Sequence, residues 1–218
     1  MKKNIVFDLD GTLLDTLEDI AISANEALKT LGFEARPIEH YRYYVGEGVF
    51  KLFENIFAKN VQPYETICRA VELFETHYAK QFDCHTQPYE GIGKLLSFLQ
   101  ARGFKMAILS NKPDAFTKKC AFKYFRTWTF DAVFGVREGV PRKPDPTATL
   151  EICERWGISP EECFYLGDTM IDMQTANRAG MKAIGALWGF RDEAELREHH
   201  AAYLAKTPGE VIKLLAEV

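Results

Sequence analysis

Cysteine is scarce and scattered in this sequence. The five residues, Cys68, Cys84, Cys120, Cys153 and Cys163, form no CxxC pair and are odd in number. That spacing argues against a disulfide framework and a thiolate zinc site, and it fits reduced, buried thiols in a cytoplasmic protein. Long apolar runs are lacking as well. The run Ile5–Phe7 is far too short for a signal peptide, and no stretch approaches the ~20 residues that cross a bilayer. Positive charge is not in excess: 27 Lys and Arg stand against 31 Asp and Glu, for a net charge of −4. A chain so balanced lacks the basic surface of a general nucleic-acid binder or of a protein held on anionic membranes. There is no internal repeat and no low-complexity linker. At 218 residues, 47% hydrophobic and 27% charged, the chain suits one good-sized domain or a domain with a smaller insertion.

What is present is alternation. Asn4–Leu9 is apolar on both faces, as in a parallel strand covered by helices. Further strands are expected at 105–109 (KMAIL), 132–135 (AVFG), 163–166 (CFYL) and 182–186 (KAIGA). Helical patterns fall between them at 91–101, 113–122, 146–156 and 170–179, with a last one near 208–216. Strands alternating with helices of roughly 10–15 residues predict an α/β fold with a doubly wound, Rossmann-like parallel sheet. The stretch from Thr16 to Phe82 breaks the pattern. It holds no strand candidate and about four helical segments. The expected organisation is therefore an α/β core of residues 1–15 and 83–218 with an inserted α-helical domain over residues 16–82.

Four polar clusters stand at or just beyond the carboxyl ends of the expected strands. They are Asp8 and Asp10; Ser110-Asn111-Lys112; Lys143 within RKPDP; and Gly167-Asp168 with Asp172. In open α/β sheets the ligand crevice lies at those strand ends, so segments far apart in sequence converge. Asp8, Asp10, Asp168 and Asp172 bring four negative charges against the single positive charge of Lys143. Carboxylates that close need a partner, and a hard divalent cation such as Mg²⁺, bound by oxygens and by substrate phosphate, supplies one. A carboxylate beside such an ion can attack phosphorus, and a second carboxyl group can protonate the leaving oxygen and then activate water. Ser110 and Asn111 can donate to phosphoryl oxygens, and Lys143 adds a point charge. Pro146 fits the first turn of a helix whose N-terminus favours the same anion. Other residues read more simply. Lys112 reads as a solvated lysine, Asp15 as a helix cap or hinge, and the ring stripe Tyr41, Tyr44, Phe50, Phe53 and Phe57 as helical core. His199 and His200 read as exposed.

With these residues in order, the chain resembles the haloacid dehalogenase-like hydrolase superfamily along nearly its whole length. The family's first motif matches DLDGT at Asp8, Asp10 and Thr12; its second matches Ser110; its third matches Lys143; and its fourth, GDxxxD, matches Gly167, Asp168 and Asp172. The resemblance implies a nucleophile at Asp8 and an acid/base at Asp10. It implies Mg²⁺ held by Asp8, the Asp10 carbonyl and Asp168, with Asp172 assisting, and the 16–82 insertion as a cap. DLDGTLLDT, SNK and KPDP are similar to the phosphoglycolate phosphatase-like branch, as is the stretch YVGEGVFKLF with Gly46 and Gly48. Thr12, Asn111, Glu47, Gly48 and Lys51 are the implied substrate-binding residues. Glu47 departs from a commonly neutral Asn, and its carboxylate would disfavour an anionic substrate group.

The resemblance thus implies a Mg²⁺-dependent phosphatase acting on a small phosphorylated metabolite, with neither nucleic acid nor membrane as partner. Sugar-phosphate phosphatase, phosphomutase and pyrophosphatase activities keep the same motifs. Asp10 argues against a dehalogenase and against a phosphonate hydrolase that would use Lys51. A catalytically silent binding protein on the same fold is the alternative outside enzymes. Both a monomer and a homodimer fit the sequence.

Overall fold

The structure, a computed structural model, describes residues 4–217. In chain order its elements are β1 (Asn4–Phe7), β2 (Leu14–Asp15), α1 (Leu17–Thr30), α2 (Val49–Ile56), α3 (Tyr64–Gln81), β3 (Gln87–Pro88), α4 (Ile92–Ala101), β4 (Lys105–Pro113) and α5 (Asp114–Phe125). Then follow β5 (Ala132–Val136), α6 (Thr147–Trp156), β6 (Phe164–Gly167), α7 (Met170–Ala179), β7 (Lys182–Ala186), α8 (Glu193–Glu198), β8 (Tyr203–Ala205) and α9 (Pro208–Ala216). The chain divides into two compact units, Met1–Leu14 with Pro88–Val218, and Asp15–Gln87.

The first unit is built on a six-stranded sheet ordered β5-β4-β1-β6-β7-β8, with every pairing parallel. Its strands are continuous apolar runs because helices cover both faces. On one face Val6, Tyr165 and Ala183 pack with Ile152 of α6 and Met173 of α7. The alternate residues Ile5, Phe7, Ile108, Leu166 and Ile184 are fully buried too, on the opposite face by the two-residue period. Register then sets the site. Phe7 pairs with Ile108 of β4 and with Leu166 of β6, so these three strands end at one level. Asp8 continues that level, its N–H donating to the Leu166 carbonyl at 2.9 Å.

Two features differ from the sequence expectation. Strand β4 runs on to Pro113, and its register with β5 shifts between Leu109 and Pro113. Ser110, Asn111 and Lys112 therefore lie inside an irregular strand rather than in a loop beyond it. The sheet also gains β8 at its edge, with α8 before it, where no element is expected. Elements of three and six residues are too short to show a period, and α8 starts on a side-chain cap, the Glu195 N–H donating to Asp192 Oδ1 at 3.0 Å.

The second unit is helical. In its core Phe74 stacks on Tyr78 and meets Phe53 edge to face, and Tyr41 is fully buried. Around 37–46 the chain makes a 3-10 stretch, Ile38–Tyr43, in place of a full helix. It is tied to α1 by Asn25, whose Oδ1 accepts from Arg36 N and Tyr41 Oη, both at 2.8 Å. Segment 83–87 stays with these helices through Asp19. That carboxylate, 1% exposed, accepts from His85 N at 3.0 Å, Thr86 N at 2.8 Å and Thr86 Oγ1 at 2.7 Å. No helix of the described residues is long and apolar enough to cross a membrane.

Candidate active site

Four segments of the α/β unit meet at the carboxyl ends of β1, β4 and β6. Asp8 follows β1, Asp168 follows β6, Asp172 sits in the first turn of α7, and Lys143 lies in the loop before α6. Lys143 is buried, and its ammonium stands 2.8 Å from Asp8 Oδ1 and 2.7 Å from Asp172 Oδ1. Asn111 fixes the backbone of that lysine from both sides. Its Nδ2 donates to Lys143 O, and its Oδ1 accepts from Lys143 N, each at 3.0 Å. The sequence reading aims Asn111 at a phosphoryl group; the structure uses its amide to set the position of Lys143. Ser110 Oγ accepts from Lys112 N at 3.2 Å, which leaves its O–H to donate.

Asp172 does two things at once. Its Oδ2 accepts from Thr169 N at 3.1 Å and Thr169 Oγ1 at 2.8 Å, the capping box of α7, while Oδ1 faces Lys143. Asp168, fully buried, is held by Thr12 Oγ1 at 2.7 Å on one oxygen and by Phe190 N at 2.8 Å on the other. Thr12 thus orients an aspartate. Two glycines make room for that aspartate. A Cβ on Gly11, whose φ is +87°, would overlap its carboxylate, and a Cβ on Gly189 would overlap its Cβ.

Asp10 meets a partner that the sequence reading leaves in solvent. Lys112 is buried, and its Nζ lies 2.9 Å from Asp10 Oδ1 and 3.0 Å from Oδ2. The solvated reading of Lys112 is therefore corrected. A lysine just after a strand is usually exposed, and its partner lies about a hundred residues away. Tyr165 is the other group that sequence pattern gives no reason to single out. It is buried in β6, with its Oη 3.4 Å from Asp172 Oδ1. Glu47, Gly48 and Lys51 belong to the helical unit, where Gly48 caps α2 and Lys51 pairs with Glu54 at 3.1 Å.

The electrostatics follow from this crowding. Fully ionised, four aspartates against Lys112 and Lys143 leave two negative charges in a buried space. Burial, then the charge of Asp172, pushes the Asp8 carboxyl well above the ordinary carboxylate range against the pull of Lys143. Burial and Asp172 push Asp168 up to about 7. Burial pulls the Lys143 pKa down, but Asp172 and Asp8 outweigh it and hold the ammonium well above its usual range. One oxygen from each of Asp8, Asp168 and Asp172 lies within 4.8 Å of the others. Such an all-oxygen, acidic donor set with two charges to spare suits a hard divalent cation.

A parallel α/β sheet with buried carboxylates and a lysine converging on its carboxyl edge places a candidate cation site where open α/β sheets bind their ligands. Residues 5–186 match the sequence profile of the haloacid dehalogenase-like hydrolases, and the chain belongs to that family. It is 34% identical to the phosphoglycolate phosphatase of Aquifex aeolicus strain VF5, over 97% of this chain and 95% of that one. It is 32% identical to the phosphoglycolate phosphatase of Nitrosospira multiformis, over 98% and 95%. A crystal structure of a protein from Lactobacillus delbrueckii subsp. bulgaricus superposes with a TM-score of 0.93 at 28% identity, covering 98% of both chains. β-Phosphoglucomutase from Clostridium difficile shares the fold at a TM-score of 0.79 and 18% identity, over 100% of this chain and 96% of that one.

Proposed function

We propose that the chain is a Mg²⁺-dependent phosphatase of small phosphorylated metabolites, with 2-phosphoglycolate as the first substrate to test. The observation that carries this reading is the Asp8–Lys143–Asp172 contact beside Asp168, a buried nucleophile, cation and oxygen donor set in one place. Asp8, the Asp10 carbonyl and Asp168, with Asp172 assisting, would hold Mg²⁺. The ion supplies positive charge that offsets both the carboxylates and the phosphoryl oxygens. Asp8 attacks phosphorus, and the P–O bond to the leaving group breaks as Asp10 gives that oxygen a proton. Water then attacks the aspartyl-phosphate, Asp10 takes its proton, and Asp8 and inorganic phosphate are released. Ser110 and Lys143 bind the phosphoryl oxygens, and Asn111 and Thr12 keep Lys143 and Asp168 in place.

The helical unit takes the part of a cap that selects the substrate, with Glu47, Gly48 and Lys51 as its selecting residues. The relatives' names support 2-phosphoglycolate, and the carboxylate of Glu47 speaks for a less anionic substrate. Of the five free thiols Cys120, Cys153 and Cys163 are buried, while Cys68 is half-buried and Cys84 exposed, against the expectation that all are buried; a cytoplasmic setting is proposed from their scattered spacing alone.

The test is phosphate release from 2-phosphoglycolate and from p-nitrophenyl phosphate, with and without Mg²⁺, by the native chain and Asp8→Asn. The reading expects Mg²⁺-dependent turnover that Asp8→Asn loses while staying folded. Substantial turnover by that variant would sink the mechanism. A kcat/KM for 2-phosphoglycolate no better than for the aryl ester would move sugar phosphates and pyrophosphate ahead. Isomerisation of a sugar phosphate without phosphate release would mark a mutase.

A further inference from the structure

We propose that Lys112 is the positioning residue for the acid/base Asp10, an assignment that rests on the phosphatase reading above. Two buried lysines divide the carboxylates between them. Lys143 serves Asp8 and Asp172, and Lys112 contacts both oxygens of Asp10 at 2.9 and 3.0 Å. The Lys112 and Asp10 side chains are 5% and 12% exposed, so this is no screened surface pair.

The backbone of Lys112 is held at two points. Its N–H donates to Ser110 Oγ at 3.2 Å, and its carbonyl accepts from Thr117 Oγ1 at 3.3 Å. Gly135 of β5 leaves room for the same carbonyl, since a Cβ there would lie 2.5 Å from it. The register shift that places Lys112 in this clamp is the irregularity of β4 between Leu109 and Pro113. Asp10, by contrast, sits on the turn after β1, where Leu13 N and Leu14 N both fold back on Leu9 O at 3.0 Å. A fixed ammonium that contacts both oxygens restricts the rotamers open to that carboxyl group. Each oxygen keeps a second lone pair, so the proton can still be carried to the leaving group and taken from water.

A positioning role makes a prediction that a purely structural one does not. Phenyl phosphate and p-nitrophenyl phosphate are alike in shape, but phenolate is the poorer leaving group and needs the proton of Asp10 far more. Their kcat/KM reports the step in which the P–O bond breaks. The experiment measures both esters, with Mg²⁺, for the native chain, Lys112→Met, Lys112→Gln, Lys112→Arg and Asp10→Asn. Because positioned acid–base groups contribute about 10²–10⁴ in rate, Lys112→Met and Lys112→Gln should lose at least about tenfold more on phenyl phosphate than on the nitro ester. Asp10→Asn should show the same bias more strongly. Lys112→Arg, which keeps a cationic donor for two oxygens, should recover most of the ratio.

Equal losses on the two esters, or none, in a folded variant overturn the proposal. Should Lys112→Met fail to fold, Lys112→Gln decides by the same ratio. A native chain that hydrolyses neither aryl ester nor 2-phosphoglycolate removes the phosphatase reading itself, and this proposal with it.

Discussion

Lys143→Met takes away the cation that two buried carboxylates share. At an effective dielectric of about 20, each contact of 2.7–2.8 Å is worth about 6 kcal/mol before the desolvation of the ammonium is set against it. Removing one partner from a buried ion pair costs about 3–5 kcal/mol net, because the charges left behind have no compensation. Here two are left, on Asp8 and Asp172. The variant relieves the strain by protonating Asp8, whose carboxyl already stands above its ordinary range. A group whose pKa is raised by folding contributes stability at low pH and loses it as pH rises. The deficit of Lys143→Met is therefore largest near pH 8 and shrinks toward pH 5.

Urea unfolding followed by tryptophan fluorescence checks this. Trp128, Trp156 and Trp188 all lie in the α/β unit, so the signal reports the unit that carries the site. With a slope of about 2 kcal/mol per molar, the midpoint should fall by about 2 M at pH 8. Saturating Mg²⁺ should return part of the loss, since a ligand of the native state stabilises it by mass action. A midpoint equal to that of the native chain at pH 8, or a deficit unchanged from pH 5 to pH 8, would refute the electrostatic account of the site.

Two further outcomes are expected. Asp168 rises from an ordinary 3.8 to about 7, so its contribution is fully present below 3.8 and is lost through about pH 7. In EDTA this contribution to the urea midpoint should fall between about pH 4 and pH 7 and level off above, and Mg²⁺ should flatten the trend; a midpoint that rises with pH over that range would contradict it. Asp19→Ala removes a buried carboxylate that accepts from His85 N and from the buried Thr86 N, a loss of about 1–3 kcal/mol. Amide exchange in 83–87 should quicken accordingly, and unchanged protection there would show that Asp19 is no staple.

Local pattern carries a long way in this chain. β1 and β6 are short, wholly apolar runs, and such runs announce parallel strands covered on both faces. Aspartates set just past them are placed at the carboxyl edge by the alternation alone, because parallel register brings those ends to one level. The helical character of the 16–82 stretch is equally local, since it needs only period and the lack of strand candidates.

Tertiary structure decided the rest. Nothing within a few residues of Lys112 indicates burial, and its partner Asp10 is 102 positions away. Asn111 reads as a donor for the substrate until the fold brings the Lys143 backbone to both ends of its amide. Segment 83–87 stays with the helices because of one carboxylate on α1, and β8 is a three-residue edge with no period to read. The sequence by itself determined the strand order of chemistry: which carboxylates, serine and lysine stand at strand ends. Which ammonium serves which carboxylate was settled only when the sheet set distant loops side by side. Coulomb energies at under 3 Å depend on a geometry that no spacing along the chain encodes.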